Sequence, residues 1–160
     1  MNLDETQFGF GDVVKVTGLE TATVSNWTNR GLVDPHVALG QRRGRGFARA
    51  YTARNILKFA LMADLSRIFI PLPAAKLICR RVFADFKAAN PGCWLIKKVM
   101  ADPDAGTSTL HASFHLKGAE ALHEAARLGL RAPLIIDAAA VYRDCMHALE
   151  ALLAERETTP

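Results

Sequence analysis

The spacing of apolar residues predicts a short helix near the start of the chain. Val13, Val14 and Val16 mark its inner face. Asp12 opens the helix, since its carboxylate can accept hydrogen bonds from backbone amides that have no partner in the first turn. Gly18 ends it.

A second helix follows after a tight turn. Val24 and Trp27 are three residues apart and form its buried side, and Thr21 is its expected N-cap. The helix runs to about Arg30, and Gly31 supplies the C-terminal stop. Its spacing places Trp27 in the core rather than on a stacking surface. Together the two elements form a helix-turn-helix pattern.

Residues 36–51 predict a two-stranded wing, with strands at 37–39 and 47–51. Its tip, residues 40–46, contains three arginines and three glycines and no acid. Such a basic, glycine-rich loop can lie along a phosphate backbone while the second helix enters a groove. Thr52 is expected to cap the helix that follows.

Two further helices complete the N-terminal half. Residues 56–69 carry a wide apolar stripe, which ends before Pro71 and Pro73, and another helix begins near Ala74. The sequence Asn-Pro-Gly at positions 90–92 closes this half, so a domain boundary is expected at residue 90.

The second half changes to alternating apolar and polar residues over positions 110–117, which indicates a half-buried strand. Residues 94–100 are its expected partner, joined through the turn formers at 102–106. A helix at 119–128 and a strand at 134–136 follow. Asp137 then caps a last helix that runs to about Glu155.

The last helix carries an apolar stripe at spacings of three and four residues, as in a short coiled coil. The stripe predicts a surface that joins two subunits. The alternative is that this helix packs on the small sheet of its own chain. The dimerisation candidates are Tyr142, Cys145, Leu149 and Leu152.

The predicted fold class is therefore α+β, mainly α. Residues 1–90 form a winged helix-turn-helix domain for DNA binding. Residues 91–160 form a small module of a β-hairpin and helices that ends in the C-terminal helix, and this module is the expected region for dimerisation or effector binding.

Charge is distributed unevenly along the 160 residues, which carry a net charge of +4. Residues 21–81 contain 11 Lys or Arg against two acids, whereas the segments before and after them carry net charges of −3 and −2. The positive charge thus coincides with the predicted helix-turn-helix and wing, which favours a nucleic-acid partner.

Other classes of function find little support in the sequence. Three widely spaced cysteines suggest neither a disulfide framework nor a metal site, and His111 and His115 on a strand are too far apart to share a metal. No catalytic motif is recognisable, so neither an enzyme nor a cofactor is expected. The acidic N-terminus and the absence of a long apolar run favour a cytoplasmic protein without membrane contact.

Residues 10–86 resemble the MerR family of winged helix-turn-helix regulators. The resemblance is carried by Thr23, Val24, Trp27, Gly31, Leu32, Pro35, Arg49 and Tyr51. Ser25 and Asn26 replace the family's usual arginine and tyrosine, and residues 70–73 replace its usual glycine between the third and fourth helices. The resemblance implies a dimer that binds a roughly palindromic operator and represses or remodels promoter DNA.

These observations give two sets of candidate DNA contacts. Short polar side chains on the second helix are expected to reach base edges in the major groove: Thr21, Thr23, Ser25, Asn26 and Asn29. Basic residues and one tyrosine are expected to contact phosphates or to belong to the wing: Arg30, Arg42, Arg43, Arg45, Arg49 and Tyr51.

The resulting hypothesis is a sequence-specific transcriptional regulator that binds double-stranded DNA as a homodimer, with a small-molecule effector that the sequence does not identify. One alternative keeps DNA binding in a phage or prophage protein for DNA architecture, excision or packaging. The other, from a different class, is a module that senses a ligand or a protein without binding DNA.

Overall fold

The computed structural model describes residues 2–4, 7–34, 36–42, 47–84, 92–102, 107–115, 117–128 and 134–158. Helices account for more of these residues than strands do, which confirms the predicted α+β, mainly α class. The elements in chain order are β1 (Gln7–Phe8), α1 (Phe10–Thr17), α2 (Thr21–Asn29), β2 (His36–Arg42), β3 (Phe47–Thr52), α3 (Ala53–Arg67), α4 (Leu72–Ala84), β4 (Cys93–Asp102), β5 (Thr107–His115), α5 (Gly118–Arg127), β6 (Leu134–Asp137) and α6 (Ala138–Thr158).

The chain forms two units, and their division differs from a single boundary at residue 90. The first unit combines Met1–Phe69 with Arg143–Pro160, and the second consists of Ile70–Tyr142. The second unit is therefore inserted, in sequence, between the two parts of the first. Asn90 itself lies outside the described residues.

The ends of α1 and α2 follow the sequence closely. Gly18 and Gly31 adopt φ of 64° and 61°, the left-handed conformation that lets glycine end a helix without a Cβ clash. The Asp12 carboxylate accepts from the Gly9 amide at 2.6 Å, as its position near the helix start predicts. Helix α2 begins one residue earlier than expected, because Glu20 is its N-cap and Thr21 is its first helical residue.

The wing belongs to a three-stranded antiparallel sheet with the order β1-β3-β2. Strand β2 pairs with β3 as predicted, with His36 opposite Ala50 and Val37 opposite Arg49. Strand β1 was not predicted, since two residues are too few to show an alternating pattern. Its pairing places Phe8 opposite Tyr51, so β3 is the central strand of the sheet.

The first turn of α3 fixes both the wing and the exit from α2. Thr52 caps α3 as predicted, because its hydroxyl accepts from the backbone N–H of Asn55 at 3.2 Å. The buried Asn55 side chain also donates to the Asp34 carbonyl at 2.8 Å, just beyond α2. The Asn55 side-chain oxygen accepts from the Thr52 backbone amide at 3.0 Å, so one polar side chain satisfies two backbone segments.

Phe69 follows the end of α3 with a φ of 62°, so it occupies the left-handed position for which glycine is the usual residue. Its side chain is 93% exposed. A strained aromatic residue therefore precedes the proline-bounded turn that the sequence predicts here. Helix α4 begins at Leu72, two residues earlier than predicted.

The second unit contains an antiparallel sheet with the order β5-β4-β6. The predicted hairpin is present, with Trp94 opposite Phe114 and Ile96 opposite Ala112. Helix α4 packs against β5, and α5 packs against all three strands. The buried Ala121 and Ala125 of α5 let the helix approach the sheet closely.

Helix α6 begins in the second unit, where the Asp137 carboxylate accepts from the Ala140 amide at 2.9 Å. From Arg143 onward it belongs to the first unit. Glu155 pairs with Lys15, and Arg156 pairs with Asp12 and lies 5.8 Å from the centre of the Phe8 ring. These exposed ion pairs contribute little stability, so the buried residues of the same helix hold it in place.

The apolar stripe of α6 is covered within its own chain, which differs from the expected role as a dimer surface. Cys145, Leu149 and Leu152 are each at most 5% exposed, and Tyr142 is half-buried. The alternative of packing within one chain is closer to the structure. From residue 143 onward, however, the helix packs in the unit that holds the helix-turn-helix and not on the small sheet.

Leu149→Ala is expected to lower the free energy of unfolding by about 2 to 5 kcal/mol, because it empties a fully buried site. Urea titration measures the loss. Leu77→Ala is the control, since that side chain is 55% exposed and should cost far less. A loss for Leu149→Ala as small as that for Leu77→Ala would contradict burial of the stripe within its own chain.

Burial raises the pKa of the Cys145 thiol to about 12 from an ordinary value of 9.0. As the pH rises, the unfolded chain therefore loses this proton at a lower pH than the folded chain does. The stability that the protonated thiol contributes is fully present below pH 9 and is lost between pH 9 and 12 at about 1.4 kcal/mol per pH unit. Urea midpoints from pH 8 to 11 should fall more steeply for the wild type than for Cys145→Ala. Parallel curves for the two proteins would contradict the prediction.

Candidate nucleic-acid interface

Helix α2 presents one exposed face along its whole length. Ala22, Asn26 and Asn29 are exposed and follow one another at spacings of four and three residues, which aligns them on one side of a helix. Among the other base-edge candidates, Thr21 is exposed, whereas Thr23 and Ser25 are half-buried at the borders of this face. The two asparagines are thus the candidates that project most directly.

The opposite face of α2 is held by aromatic packing. Trp27 is buried, as predicted, and its ring stacks on Phe59 of α3 with centroids 6.2 Å apart and planes 4° apart. Tyr51 of β3 meets the same Phe59 ring edge-on at 5.9 Å. One phenylalanine therefore supports both the helix and the wing strand, and edge-to-face and offset contacts of this kind are favourable.

Two side-chain hydrogen bonds connect the end of α2 to β3. The Thr28 and Tyr51 hydroxyls lie 3.4 Å apart in the buried layer. At the surface, Nη2 of Arg49 donates to Oδ1 of Asn29 at 2.7 Å. Arg49 and Tyr51 are two residues apart on one strand. Thr28 and Asn29 are adjacent on the helix. The two contacts therefore join α2 to β3 both in the core and at the surface.

The Arg49–Asn29 contact places a wing cation beside the exposed face of α2. Arg30 is also exposed, at the end of that helix. Arg42 is the last residue of β2. Arg43 and Arg45 lie outside the described residues, so their assignment to phosphates stays a prediction.

Tyr51 lies in the wing strand β3, as one of the two expectations for it stated, but it is not placed to contact a phosphate. Its side chain is fully buried against Phe59, and therefore it has no surface to offer to a phosphate. Sequence reasoning also missed Ala22, because only polar side chains were considered as readers of bases. The spacing from Ala22 to Asn26 and Asn29 could have identified it, and a small methyl group permits close approach and contact with a thymine methyl.

Two arginines of the basic segment are paired with acids in the structure. Nε of Arg54 donates to Asp4 at 2.7 Å, and this hydrogen bond raises the pKa of the Arg54 guanidinium. Arg67 donates to Asp64 at 2.8 Å. Both pairs reduce the positive charge that α3 presents, so among the described residues the candidate interface depends more on Arg30 and Arg49 than the charge count alone indicates.

The described ranges contain neither a cluster of metal-ligating side chains nor a membrane-spanning helix. No group of three or more His, Cys, Asp or Glu side chains there could hold a metal ion. Among the helices that the structure describes, none has the length and apolar character to cross a bilayer.

Comparison with protein families identifies one match, and it covers the elements just described. Residues 10–82 match the model described as MerR HTH family regulatory protein. No curated protein matches the chain. The matched segment runs from the start of α1 almost to the end of α4, and it agrees with the resemblance seen in the sequence. Residues 10–82 are therefore similar to the helix-turn-helix segment of the MerR family, whose description as regulatory indicates DNA-binding transcription regulation.

Proposed function

We propose that the protein is a transcriptional regulator that reads duplex DNA with the exposed face of α2. Ala22, Asn26 and Asn29 lie in the major groove, and the wing formed by β2 and β3 follows the adjacent phosphates. The major groove admits a helix and presents a distinct pattern of donors and acceptors for each base pair. Short side chains such as these reach base edges only when the helix lies deep in the groove.

The observation that carries the proposal is the 2.7 Å hydrogen bond between Arg49 and Asn29. It means that a cation of the wing and a polar residue of α2 project from the same side of one unit. A duplex that meets the helix therefore also meets the wing, and base reading and phosphate binding can occur together.

The proposed regulator acts on a two-fold site as a homodimer, as the family resemblance implies. The two chains must then meet through a surface other than the apolar stripe of α6, because Cys145, Leu149 and Leu152 are buried within their own chain.

The first test measures binding of the full chain to a random duplex by fluorescence anisotropy between 50 and 200 mM salt. Binding through phosphates releases counterions, so the affinity should fall linearly with salt on logarithmic axes. A constant weak affinity over this range would favour a module that senses a ligand or protein and does not bind DNA.

Asn26→Ala is expected to cost about 1 to 3 kcal/mol on the preferred site and to relax the choice of base at one position. Selection from a randomised duplex library, followed by titration of the preferred sequence, measures both effects. Ser66→Ala serves as the control, since this exposed residue lies on α3. Equal affinities of wild type and Asn26→Ala across the library would remove Asn26 from the interface.

Arg30→Ala is expected to weaken binding to all sequences alike and to reduce the salt slope by about one unit, because one phosphate contact is lost. Arg127→Ala removes the same charge from an exposed site in the second unit and should leave the slope unchanged. An Arg30→Ala slope equal to that of the wild type would show that Arg30 does not reach a phosphate.

A further inference from the structure

The contact between Arg49 and Asn29 determines which way the Asn29 amide faces. A guanidinium has only donors, so the group that it contacts must be the amide oxygen. Nη2 of Arg49 lies 2.7 Å from Oδ1, and both side chains are exposed. The amide nitrogen, Nδ2, is then directed away from the arginine and is the polar atom available to a ligand in front of α2.

This orientation matters for base recognition. An asparagine that reads adenine accepts from N6 with its oxygen and donates to N7 with its nitrogen. Here the oxygen already accepts from a charged donor, and the nearby positive charge opposes the approach of the adenine amino group. Asn29 and Arg49 together therefore present hydrogen-bond donors to a base, and they present no acceptor as strong as these donors. Guanine presents two acceptors, N7 and O6, at its major-groove edge.

We propose that Arg49 is a positioning residue for base recognition. It fixes the orientation of the Asn29 amide, so that the two side chains together select guanine over adenine at the base pair that faces the end of α2. The inference rests on the proposed function. It also changes the role expected for Arg49, since a residue that only binds phosphate contributes equally on every sequence. The remaining donors of its guanidinium can still reach a phosphate.

The hydrogen bond between the Thr28 and Tyr51 hydroxyls supports this role. Thr28 adjoins Asn29, Tyr51 lies two residues after Arg49, and their hydroxyls are 3.4 Å apart in the buried layer. The backbone positions that carry Asn29 and Arg49 are therefore fixed by a second contact between the same elements. A positioning contact is effective only when the groups that make it are themselves held in place.

The test compares base selection by the full-length wild type, Arg49→Met, Asn29→Ala and the double variant, using one randomised duplex library at low salt. The wild type should enrich guanine at one position whose selection depends on Asn29. Arg49→Met frees the amide to turn, so the preference for guanine over adenine at that position should fall about ten-fold, the size of a modest base-discrimination effect. The double variant should select as Asn29→Ala does.

Arg30→Met is the matched control, because it removes an exposed cation from the same end of α2 without removing the partner of Asn29. It should weaken binding to all sequences and leave the guanine preference intact. Asn29→Asp is a second variant that changes few atoms and keeps an acceptor for Arg49. It replaces the outward donor by an acceptor, and therefore the guanine preference should be lost even if Arg49→Met does not fold.

The outcomes separate this inference from the proposed function. A wild type without salt-dependent duplex binding would overturn both. If the wild type binds and selects sequences, the inference alone is overturned by a uniform loss of affinity in Arg49→Met with unchanged guanine preference, by enrichment of adenine at the position that depends on Asn29, or by an Asn29→Asp variant that still prefers guanine.

Discussion

The packing of Phe59 is the interaction on which the rest of the interface depends. Its ring contacts Trp27 of α2 on one side and Tyr51 of β3 on another, so a single residue of α3 sets the distance between the helix and the wing. The hydrogen bond between the Thr28 and Tyr51 hydroxyls and the one that Arg49 donates to Asn29 form only at that distance. The residues that face DNA in the proposed complex are thus positioned by a core that cannot itself touch DNA.

The sequence predicts much of this architecture because the relevant signals are local. Glycines at positions 18 and 31 end α1 and α2, Thr52 caps α3, and the alternation at 110–117 identifies a strand of the second sheet. Each depends on a backbone conformation or a side-chain period that neighbouring residues determine. The family match over residues 10–82 is carried by the same kind of local pattern.

What the sequence did not predict depends on distant contacts. Tyr51 and Arg49 are two residues apart on one strand, yet one is fully buried and the other is exposed beside Asn29. Nothing local distinguishes a tyrosine that covers a core from one that reaches a phosphate. Similarly, the apolar stripe of α6 indicates that something must cover it, whereas only the folded chain shows that the cover is the first unit.

The placement of α6 has a consequence for how the protein is made. Residues 1–69 share their core with residues 143–158, which a ribosome synthesises only after the whole second unit. The helix-turn-helix therefore cannot complete its core during most of translation, although its own helices can already form. Joining such distant segments is slow because a long loop must close first. During that delay the nascent first unit exposes the apolar surface that α6 later covers, and it is then most in need of a chaperone.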